Sequence, residues 1–519
     1  MSKTLVIAEK PSVGRDLVGV LPGAFEKSDG YLEGPDHVVT WAVGHLVQLA
    51  DPDEYDEKFK KWRMADLPIV PDRFKLVVRD ERSKKQMNVV KRLLGREDVK
   101  TVVNACDAGR EGELIFAYLY EKAGSKKPVQ RLWLNSMTKS AIKAAFGSLR
   151  PGADLRSLQD AARSRSEADW IVGMNATRAA TIRLRSSFDG AVSLGRVQTP
   201  TLAILARREE EIRAFKPEPY WVVDAAFDAV AEPAGRAYEG RFHAPAGSEA
   251  ARGPRINTAE AASAVVAACE GQVGEITKLE KTERRDRVPL LYDLTQLQRD
   301  ANGRFGFSAR RTLAAAQRLY EEHKALTYPR TNSRYITGDM VPDIKPIAEL
   351  VGSQREYAVA SKYVLGLDVL PLGRVVNDAK VTDHHAIIPT RAERHPTDKM
   401  SDDDRRIYDL VVRRFLAVFH PEAVFENTRV ETTVAGRAGE AGTAGEARGG
   451  GHVFRTHGKL LLLPGWRGVY GETADIDDGS EDDDEGREQR LPKLVKDELA
   501  RVLTVGLEAK ETKPPRRHT

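Results

Sequence analysis

The sequence predicts a multidomain protein with an α/β domain first, followed by separate α-rich and β-rich parts. Two short apolar runs, Thr4–Ala8 and Thr101–Ala105, are typical of buried strands, and helix-like segments alternate with them through about residue 150. An arginine-rich helical pattern follows over 155–215. From Pro217, apolar and polar residues alternate with the period of strands. These three patterns indicate a parallel α/β sheet with other folding units after it.

The second half of the chain mixes helical and β-like segments. Helical periodicity returns around 290–328, where Ser308 is suited to cap a helix and Pro329 is expected to end the helical region. Another helix is predicted over 405–419, followed by more β-like runs. The low-complexity, glycine-rich segment 435–451 is expected to be a flexible hairpin loop.

The charge of the chain favours a polyanionic partner only weakly. The formal net charge is +4, but eight acids and no base lie between Asp475 and Glu485, which leaves +12 on the rest of the chain. A basic body with one acidic loop fits nucleic acid, although many soluble proteins share this balance.

Cysteine content and hydropathy exclude several other classes of protein. The two cysteines, Cys106 and Cys269, are too few for a four-cysteine zinc ribbon or a disulfide framework, and each is expected to be a small buried residue. No apolar run approaches the length of a membrane span, and the N-terminus lacks the pattern of a signal peptide. A cytoplasmic protein without a membrane partner is therefore expected.

Acidic residues follow both of the predicted N-terminal strands. Glu9 comes directly after the first strand, and Asp107 begins the heptapeptide DAGREGE after the second. The carboxyl ends of parallel strands meet at one edge of a sheet, where ligands bind. Carboxylates gathered there repel one another unless a cation such as a hard divalent metal is present. Taken alone, DAGREGE fits a solvated acidic turn equally well.

The motif LTYPRT is a candidate for nucleophilic chemistry. Tyr328 carries a phenol whose ordinary pKa is near ~10, so it needs positive charge nearby to act as a nucleophile. Arg330 lies two residues on, where an extended backbone directs both side chains to the same face. On its own, however, Tyr-Pro-Arg is more often a structural turn.

Two further motifs contain groups that bind phosphate. In SLGRVQTP, Gly195 permits close backbone approach, while Arg196 and Gln198 can bind phosphate or a base. A polar loop between helices is the commoner meaning of such a stretch taken alone. In DHHAIIPT, zinc is rejected because no third His or Cys ligand is near, and one histidine is better explained as a phosphate donor.

Taken together and in order, these motifs resemble the type IA DNA topoisomerases, of the topoisomerase III kind. The resemblance runs from residue 3 to the end of the chain, apart from the glycine-rich and acidic insertions, and the wording of AEKPS, TYPRT and HHAIIPT is closer to topoisomerase III than to topoisomerase I. The motifs that carry it are EKPS from Glu9, DAGREGEL from Asp107, SLGRVQTPTL from Ser193, PLLYDLTQLQRDANGRFGFSARRTL from Pro289, LTYPRTNSRY from Leu326 and HHAIIPT from His384.

The resemblance implies a toroidal, padlock-like architecture that contains a Toprim domain, with the C-terminal part apparently incomplete. The expected domains are a Toprim domain (1–150), a helical single-strand-groove domain (151–216), a β-rich arch (217–282 and 401–475), a helical domain carrying the active-site tyrosine (283–400), and an acidic loop with a return segment to the groove domain (476–519).

The resemblance also implies an ATP-independent reaction. The counterpart of Tyr328 attacks a DNA backbone phosphate and becomes a 5′-phosphotyrosine, another strand passes, and the free 3′-hydroxyl reverses the bond. The implied substrate is single-stranded or negatively supercoiled DNA, the cofactor is Mg²⁺, and a nucleoid-associated monomer is favoured.

Roles for individual residues come from the same resemblance. Glu9, Lys10, Arg330 and His384 would assist Tyr328 in catalysis, and Glu9, Asp107 and Glu111 would bind the metal. DNA contacts are implied for His45, Arg178, Ser193, Leu194, Gly195, Arg196, Val197, Gln198 and Arg330.

The chain departs from the family pattern at two informative positions. Gly109 stands where the Toprim pattern Asp-x-Asp-x-Glu has its second aspartate, so metal affinity is expected to be lower unless Glu113 substitutes. Asn332 stands where aspartate is commoner. Two alternatives remain open: another Toprim enzyme such as a primase or nuclease, and a noncatalytic single-strand-binding relic.

Overall fold

The structure is a computed structural model, and its residues form two compact units. It describes residues 2–134, 137, 139–187, 189–230, 235–245, 248, 251–381, 384–391, 395–435, 451–471 and 488–518. Unit 1 comprises Met1–Ile204, Leu290–Ser353 and Asp368–Val412, and unit 2 comprises Leu205–Pro289, Gln354–Leu367 and Arg413–Thr519.

Unit 1 contains a seven-stranded mixed sheet and a separate two-stranded ribbon. In the large sheet the strand order is β2-β3-β4-β1-β7-β8-β9, and β1 lies in the middle, parallel to both β4 and β7. The ribbon pairs β5 with β6. The strands are β1 (Lys3–Ala8), β2 (Glu26–Ser28), β3 (Tyr31–Glu33), β4 (His37–Trp41), β5 (Val47–Leu49), β6 (Leu76–Val78), β7 (Val99–Ala105), β8 (Val129–Arg131) and β9 (Arg150–Pro151).

Apolar clusters cover both faces of this sheet. Alternate residues of β1 point to opposite faces, so that Leu5 and Ile7 enter one buried cluster and Val6 and Ala8 enter another. A strand buried on both faces reads as a continuous apolar run, which explains why TLVIA was recognisable in the sequence. The two predicted strands are confirmed as β1 and β7.

Helices pack against the sheet of unit 1 and also occur in the rest of the chain. Two caps expected or typical of helix starts are present: the Ser308 side chain accepts a hydrogen bond from the Arg311 amide, and Asp80 caps the second helix in the same way. The helices are α1 (Pro11–Val18), α2 (Glu81–Leu94), α3 (Arg110–Ala123), α4 (Lys139–Phe146), α5 (Arg156–Leu184), α6 (Gln198–Ala214), α7 (Ala259–Cys269), α8 (Leu294–Phe305), α9 (Ala309–Glu321), α10 (Ile344–Gly352), α11 (Ala358–Leu365) and α12 (Asp402–Ala417).

Unit 2 is built on a nine-stranded sheet whose buried face packs against α7. Phe227, Tyr238 and Phe454 form an aromatic centre in that core, with ring centroids 5.3 and 5.4 Å from Phe227. The strands are β10 (Pro219–Ala229), β11 (Arg236–His243), β12 (Ala251–Arg252), β13 (Arg255–Ile256), β14 (Val273–Asp286), β15 (Ala423–Val434), β16 (His452–Leu463), β17 (Glu488–Gln489) and β18 (Leu499–Glu511).

The structure corrects two expectations from the sequence. The helical region does not continue to Pro329, because α9 ends at Glu321 and Lys324 then adopts a left-handed conformation with φ of 53°. In the segment 476–519, the predicted acidic loop through residue 487 lies outside the described residues, whereas the predicted return segment contains strand β18, which pairs with β10 and β14 in the sheet of unit 2. The other domain boundaries stay predictions.

Three further expectations concern exposed or buried segments. Cys106 and Cys269 are both buried free thiols, as expected. The antiparallel strands β15 and β16 flank the glycine-rich segment, but most of the predicted loop, 436–450, lies outside the described residues. Among the helices that the structure describes, none is long and apolar enough to cross a membrane.

Candidate active site

Two carboxylates meet at the carboxyl edge of the sheet in unit 1. Strands β1 and β7 pair in parallel with Ala8 opposite Ala105, so Glu9 and Asp107 leave the sheet side by side. Glu9 is only 8% exposed, and its Oε2 accepts a hydrogen bond from the Asp107 amide at 3.3 Å. The predicted convergence of these two residues is therefore present in the fold.

Lys10 places a positive charge between the two carboxylates. Its Nζ lies 3.1 Å from Asp107 Oδ2 and 3.5 Å from Glu9 Oε1. Burial opposes the charged ammonium, but the charges of Asp107 and Glu9 outweigh it and raise the pKa of Lys10 above its ordinary value. Lys10 consequently remains charged at neutral pH.

The two carboxyl groups titrate in opposite directions. Burial and the negative charge of Asp107 raise the pKa of Glu9 above that of an ordinary glutamate. Burial also acts on Asp107, but a hydrogen bond from His384 and the charge of Lys10 hold the pKa of that carboxyl well below its usual range. Glu9 is therefore suited to exchange a proton, whereas Asp107 stays ionised.

A buried arginine fixes the turn that carries Asp107. The Arg131 guanidinium donates to the carbonyls of Asp107 and Cys106, both at 2.8 Å, and to Glu113 Oε1 at 2.5 Å. Gly112 lies directly under this turn, because a Cβ there would come within 2.1 Å of the Asp107 carbonyl oxygen. The glycine and the second glutamate of DAGREGE therefore serve the shape of the turn.

Tyr328 is brought to this edge from more than three hundred residues away in the chain. The Lys10 Nζ lies 4.2 Å from the centroid of the Tyr328 ring, and the His384 ring centroid lies 4.4 Å from it. His384 Nε2 is in turn 3.3 Å from Asp107 Oδ2. Tyrosine, lysine, histidine and the two carboxylates thus form one contiguous cluster.

Backbone pairing explains why the tyrosine and the histidine are neighbours. Thr327 donates its amide to the Ile388 carbonyl at 2.9 Å, and Leu326 and Pro389 form an antiparallel bridge. The Thr331 hydroxyl also donates to the His384 carbonyl at 2.9 Å. The motifs LTYPRT and HHAIIPT are therefore held together by an isolated β-bridge and hydrogen bonds.

The reactive groups of LTYPRT are open to a ligand. Tyr328 is half-buried, and within the described residues its hydroxyl makes no hydrogen bond. Arg330 is exposed, and no ion pair joins it to any carboxylate in the part of the chain that the structure describes. A phosphate approaching Tyr328 can therefore reach both groups without displacing a protein partner.

The third residue predicted to bind metal, Glu111, faces elsewhere. Its carboxylate pairs with His45, which is placed by a tight turn after β4 at Val43 and Gly44, with φ of 51° and 76°. Across the described ranges, no group of three or more His, Cys, Asp or Glu side chains is close enough to hold a metal ion. The structure thus brings Glu9 and Asp107 together, with Glu111 outside the pair.

The oxygen chemistry of the Glu9–Asp107 pair fits a magnesium ion. Mg²⁺ is commonly bound by one or two carboxylates together with water and substrate phosphates, and the repulsion between Glu9 and Asp107 is the kind that a cation relieves. Glu113 does not supply the oxygen missing at Gly109, because its buried carboxylate is bound to Arg131 and lies near Asn104. That alternative is wrong.

Five of the residues predicted to contact a single strand, Ser193 to Val197, lie on the loop between α5 and α6, and Gln198 begins α6. The Thr177 hydroxyl of α5 holds the Leu194 backbone, because it accepts from the Leu194 amide at 3.0 Å and donates to the Leu194 carbonyl at 3.2 Å. Arg196 pairs with Asp169 at 2.7 Å, and the Gln198 side chain donates to the Ser193 hydroxyl at 2.8 Å. The segment from Ser193 to Gln198, with Gly195 half-buried and Val197 66% exposed, forms one surface.

Arg178 differs from the other predicted DNA contacts. It is 5% exposed, donates to the Phe59 carbonyl at 2.7 Å, and lies 5.2 Å from the Trp62 ring. These contacts attach the segment around Phe59 to α5. A DNA contact by Arg178 stays a prediction and requires this side chain to be uncovered.

Two residues of the site escaped the sequence analysis. Arg131 ends the short strand β8, and its local sequence gave no sign that it is buried. Tyr320 lies in the last turn of α9, and its ring contacts the Tyr328 ring, with centroids 5.3 Å apart.

Comparison with known proteins agrees with this geometry. Residues 154–519 match the family model described as DNA topoisomerase, and residues 4–137 match the Toprim domain. The chain is 43% identical over 526 residues to DNA topoisomerase 3 of Bacillus subtilis and 45% identical over 518 residues to that of Bacillus licheniformis. In both cases the whole chain is covered, and it spans 66% of the relative's length.

A solved structure supports the same fold. Full-length topoisomerase I from Thermotoga maritima matches with a TM-score of 0.66 and 20% identity, over 99% of this chain and 73% of that one. Together with the family models, this match confirms a Toprim domain within a type IA topoisomerase fold. The chain belongs to the type IA DNA topoisomerase family and is similar to topoisomerase III.

Proposed function

We propose that this chain cleaves and rejoins single DNA strands through a covalent bond between Tyr328 and a 5′-phosphate. The single observation that carries the proposal is the position of the Tyr328 ring, 4.2 Å from the Lys10 ammonium and 4.4 Å from the His384 ring, at the Glu9–Asp107 edge. A phenol with a free hydroxyl beside cationic and acidic groups suits attack on a phosphodiester.

The residues of the site account for each bond and proton. Tyr328 Oη attacks phosphorus and releases its proton to water, the Oη–P bond forms, and the bond from phosphorus to the 3′-oxygen breaks. Glu9 gives its proton to the leaving 3′-oxygen, which suits a carboxyl whose pKa is raised by burial and by Asp107. Rejoining is the reverse, with Glu9 accepting the proton again, so no ATP is consumed.

Positive groups around Tyr328 stabilise the charge that develops on the phosphate. Lys10 is held in place by Asp107 and Glu9, whereas Arg330 is exposed and can follow the strand. His384, bound to Asp107, can donate to a phosphate oxygen. Glu9 and Asp107 would hold Mg²⁺, which would neutralise these carboxylates and support religation and movement of the gate. Glu111 would have to leave its pair with His45 to join them.

The proposed substrate is single-stranded DNA or negatively supercoiled DNA with exposed strands, which the enzyme would relax or decatenate. The exposed surface from Ser193 to Gln198 offers an arginine, an amide and backbone groups to a phosphate backbone, as single-strand binding requires. His45 would contact the strand from the sheet edge. We further propose that the protein acts as a cytoplasmic, nucleoid-associated monomer.

The test is the dependence of a covalent adduct on one hydroxyl. We expect Tyr328→Phe to bind a single-stranded oligonucleotide with the affinity of the parent and to form no adduct, because phenylalanine keeps the ring contacts with Lys10 and His384. The measurement is transfer of a 3′-end-labelled oligonucleotide to protein on a denaturing gel.

The same gel separates the alternatives. Tyr335→Phe is the matched control, because Tyr335 is a nearby tyrosine whose ring contacts Lys380 rather than the carboxylate edge. Adduct persisting in Tyr328→Phe would remove this residue from the nucleophile role. Cleavage without any protein-bound product would favour another kind of Toprim enzyme, and binding without cleavage in the parent would favour a noncatalytic protein.

A further inference from the structure

Tyr320 contacts the nucleophile although it lies on a different element. It occupies the last turn of α9, and its ring meets the Tyr328 ring at 71°, with centroids 5.3 Å apart. Edge-to-face pairs of this geometry are stabilising because the positive edge of one ring faces the negative face of another. Tyr320 therefore contacts the Tyr328 ring directly, although it lies on α9 and not at the sheet edge that carries Glu9 and Asp107.

The Tyr328 ring is enclosed from three directions. Lys10 and His384 account for two of these, at 4.2 and 4.4 Å from the ring centroid, and Tyr320 accounts for the third. Lys10 and His384 are themselves bound to Asp107. Tyr320 is thus the one of these three neighbours that positions the phenol without belonging to the charged network around Asp107.

Tyr320 is also linked to the strand end that carries Glu9 and Lys10. The Ser12 side chain, in the first turn of α1, lies close enough to Tyr320 to lower the pKa of its phenol. Burial raises the pKa of Tyr320 more than the Ser12 contact lowers it, so the phenol is neutral at physiological pH. On the other side, Lys324 Nζ lies 5.6 Å from the Tyr320 ring.

We infer that Tyr320 is a positioning residue for Tyr328, a role that rests on the proposed cleavage reaction. Its ring limits the orientations of the nucleophile, and its contact with α1 ties that orientation to the segment bearing Glu9 and Lys10. Misplacing a reacting group by a small distance lowers the rate without changing how tightly substrate binds. Tyr320 should therefore affect the rate of adduct formation and leave DNA affinity unchanged.

The first experiment separates the ring from the hydroxyl. In single-turnover adduct formation at saturating oligonucleotide, we expect Tyr320→Leu to be slower than the parent by about threefold to tenfold, the value of one aromatic pair. Tyr320→Phe keeps the aromatic ring, so its slowing of adduct formation should be less than about half of that seen in Tyr320→Leu. Binding affinity for the oligonucleotide should match that of the parent in both variants.

A second measurement does not depend on cleavage. N-acetylimidazole modifies accessible phenols, and peptide mass spectrometry reports the modification of Tyr328 in the absence of DNA. Tyr320→Leu should raise the rate of Tyr328 modification, and Tyr320→Phe should not. Tyr363→Leu is the matched control, because this helical tyrosine also contacts one ring, that of His420 at 4.4 Å, but lies in the other unit.

The outcomes separate failure of this inference from failure of the proposed reaction. Unchanged adduct and labelling rates in Tyr320→Leu would overturn the positioning role while leaving the reaction intact. If the parent forms no adduct, the proposed reaction fails, and labelling alone decides whether Tyr320 restrains Tyr328. Equal slowing by Tyr320→Leu and Tyr363→Leu would also overturn the inference, since it would indicate general destabilisation.

Discussion

The sheet edge that carries Glu9 and Asp107 and the loop between α5 and α6 differ in how their polar side chains are held before DNA binds. At the edge, Glu9 and Asp107 are largely buried, and Lys10 and His384 are held by contacts between residues distant in the chain. On the loop, polar side chains are exposed and satisfied by near neighbours, such as Arg196 with Asp169.

The two regions differ in the stage at which their side chains become ordered for the reaction. Folding fixes the charges of the edge, so little rearrangement remains when the reaction begins. The loop must exchange its own exposed ion pair for phosphate, and exposed pairs of this kind contribute little and are screened by salt. Changes at the edge should therefore alter rates, whereas changes on the loop should alter affinity.

The largest effect is expected at Glu9. Replacing it with glutamine removes the proton donor, and adduct formation at saturating DNA should fall by roughly 100-fold or more. Because the pKa of Glu9 is raised, its acid form persists above the usual range of glutamate, and cleavage in the parent should decline as pH rises through that raised value. Glu9→Gln should lack this decline.

Rates of adduct formation measured from acidic to neutral pH test this assignment. Glu33→Gln provides the matched control, because Glu33 is a glutamate of the same sheet, in β3, that pairs with Arg96 and Lys3, which lower its pKa to about 2. An identical pH profile in Glu9→Gln and the parent would assign the proton transfer to another group.

A smaller effect is expected at Arg196, and on affinity only. Arg196→Gln removes one phosphate contact, so the affinity for a single strand should fall by several-fold, and the slope of log affinity against log salt should decrease by about 0.7. The rate of adduct formation at saturating DNA should equal that of the parent. Filter binding or fluorescence anisotropy across a salt series provides the measurement.

An arginine in a similar ion pair serves as the control for Arg196. Arg163 lies in α5 and pairs with Glu121 of α3. Arg163→Gln should leave the salt slope unchanged. If Arg196→Gln lowers the saturated rate instead of the affinity, the proposed contrast between edge and loop fails.

The sequence predicted the edge better than it predicted its supports. Glu9, Asp107 and Tyr328 were recognisable because strand ends and motifs have short, local signatures. The convergence of Glu9 and Asp107 followed from parallel pairing. Arg131 and Tyr320 were missed because their roles depend on contacts with residues far along the chain. Nothing in the local pattern distinguishes a buried arginine that fixes a turn from one on a solvated face.

Fold prediction failed where a local rule met a tertiary constraint. Pro329 is a reasonable helix terminator, but α9 ends earlier because the following residues pair with the strand-like segment at Ile388 and Pro389. Strand β18 was overlooked because its apolar residues follow a long acidic insertion, and its partner β10 lies far back in the sequence. In both cases long-range pairing decided the structure.

The smallest effect is expected at Gly109, and it sharpens the account of the metal. We expect the parent to cleave single strands without added metal and to need relatively high Mg²⁺ to relax supercoils, because Gly109 brings no oxygen to the Glu9–Asp107 pair. Gly109 has extended backbone with φ of −171°, which any residue adopts. Gly109→Asp should therefore fit and lower the half-maximal Mg²⁺ concentration for relaxation, on the order of twofold to tenfold.

Position 109 is also the N-cap of α3, so Gly109→Asp can act through helix stability as well as through metal binding. An aspartate there can accept hydrogen bonds from the first turn and stabilise the helix by about 1 kcal/mol without touching metal. Gly109→Asn separates the two effects, since asparagine caps equally well but adds no negative charge. A magnesium titration of relaxation should shift to lower concentration in Gly109→Asp alone. Equal shifts in both variants would assign the effect to helix capping, and no shift in Gly109→Asp, with cleavage intact, would show that the metal does not need this oxygen.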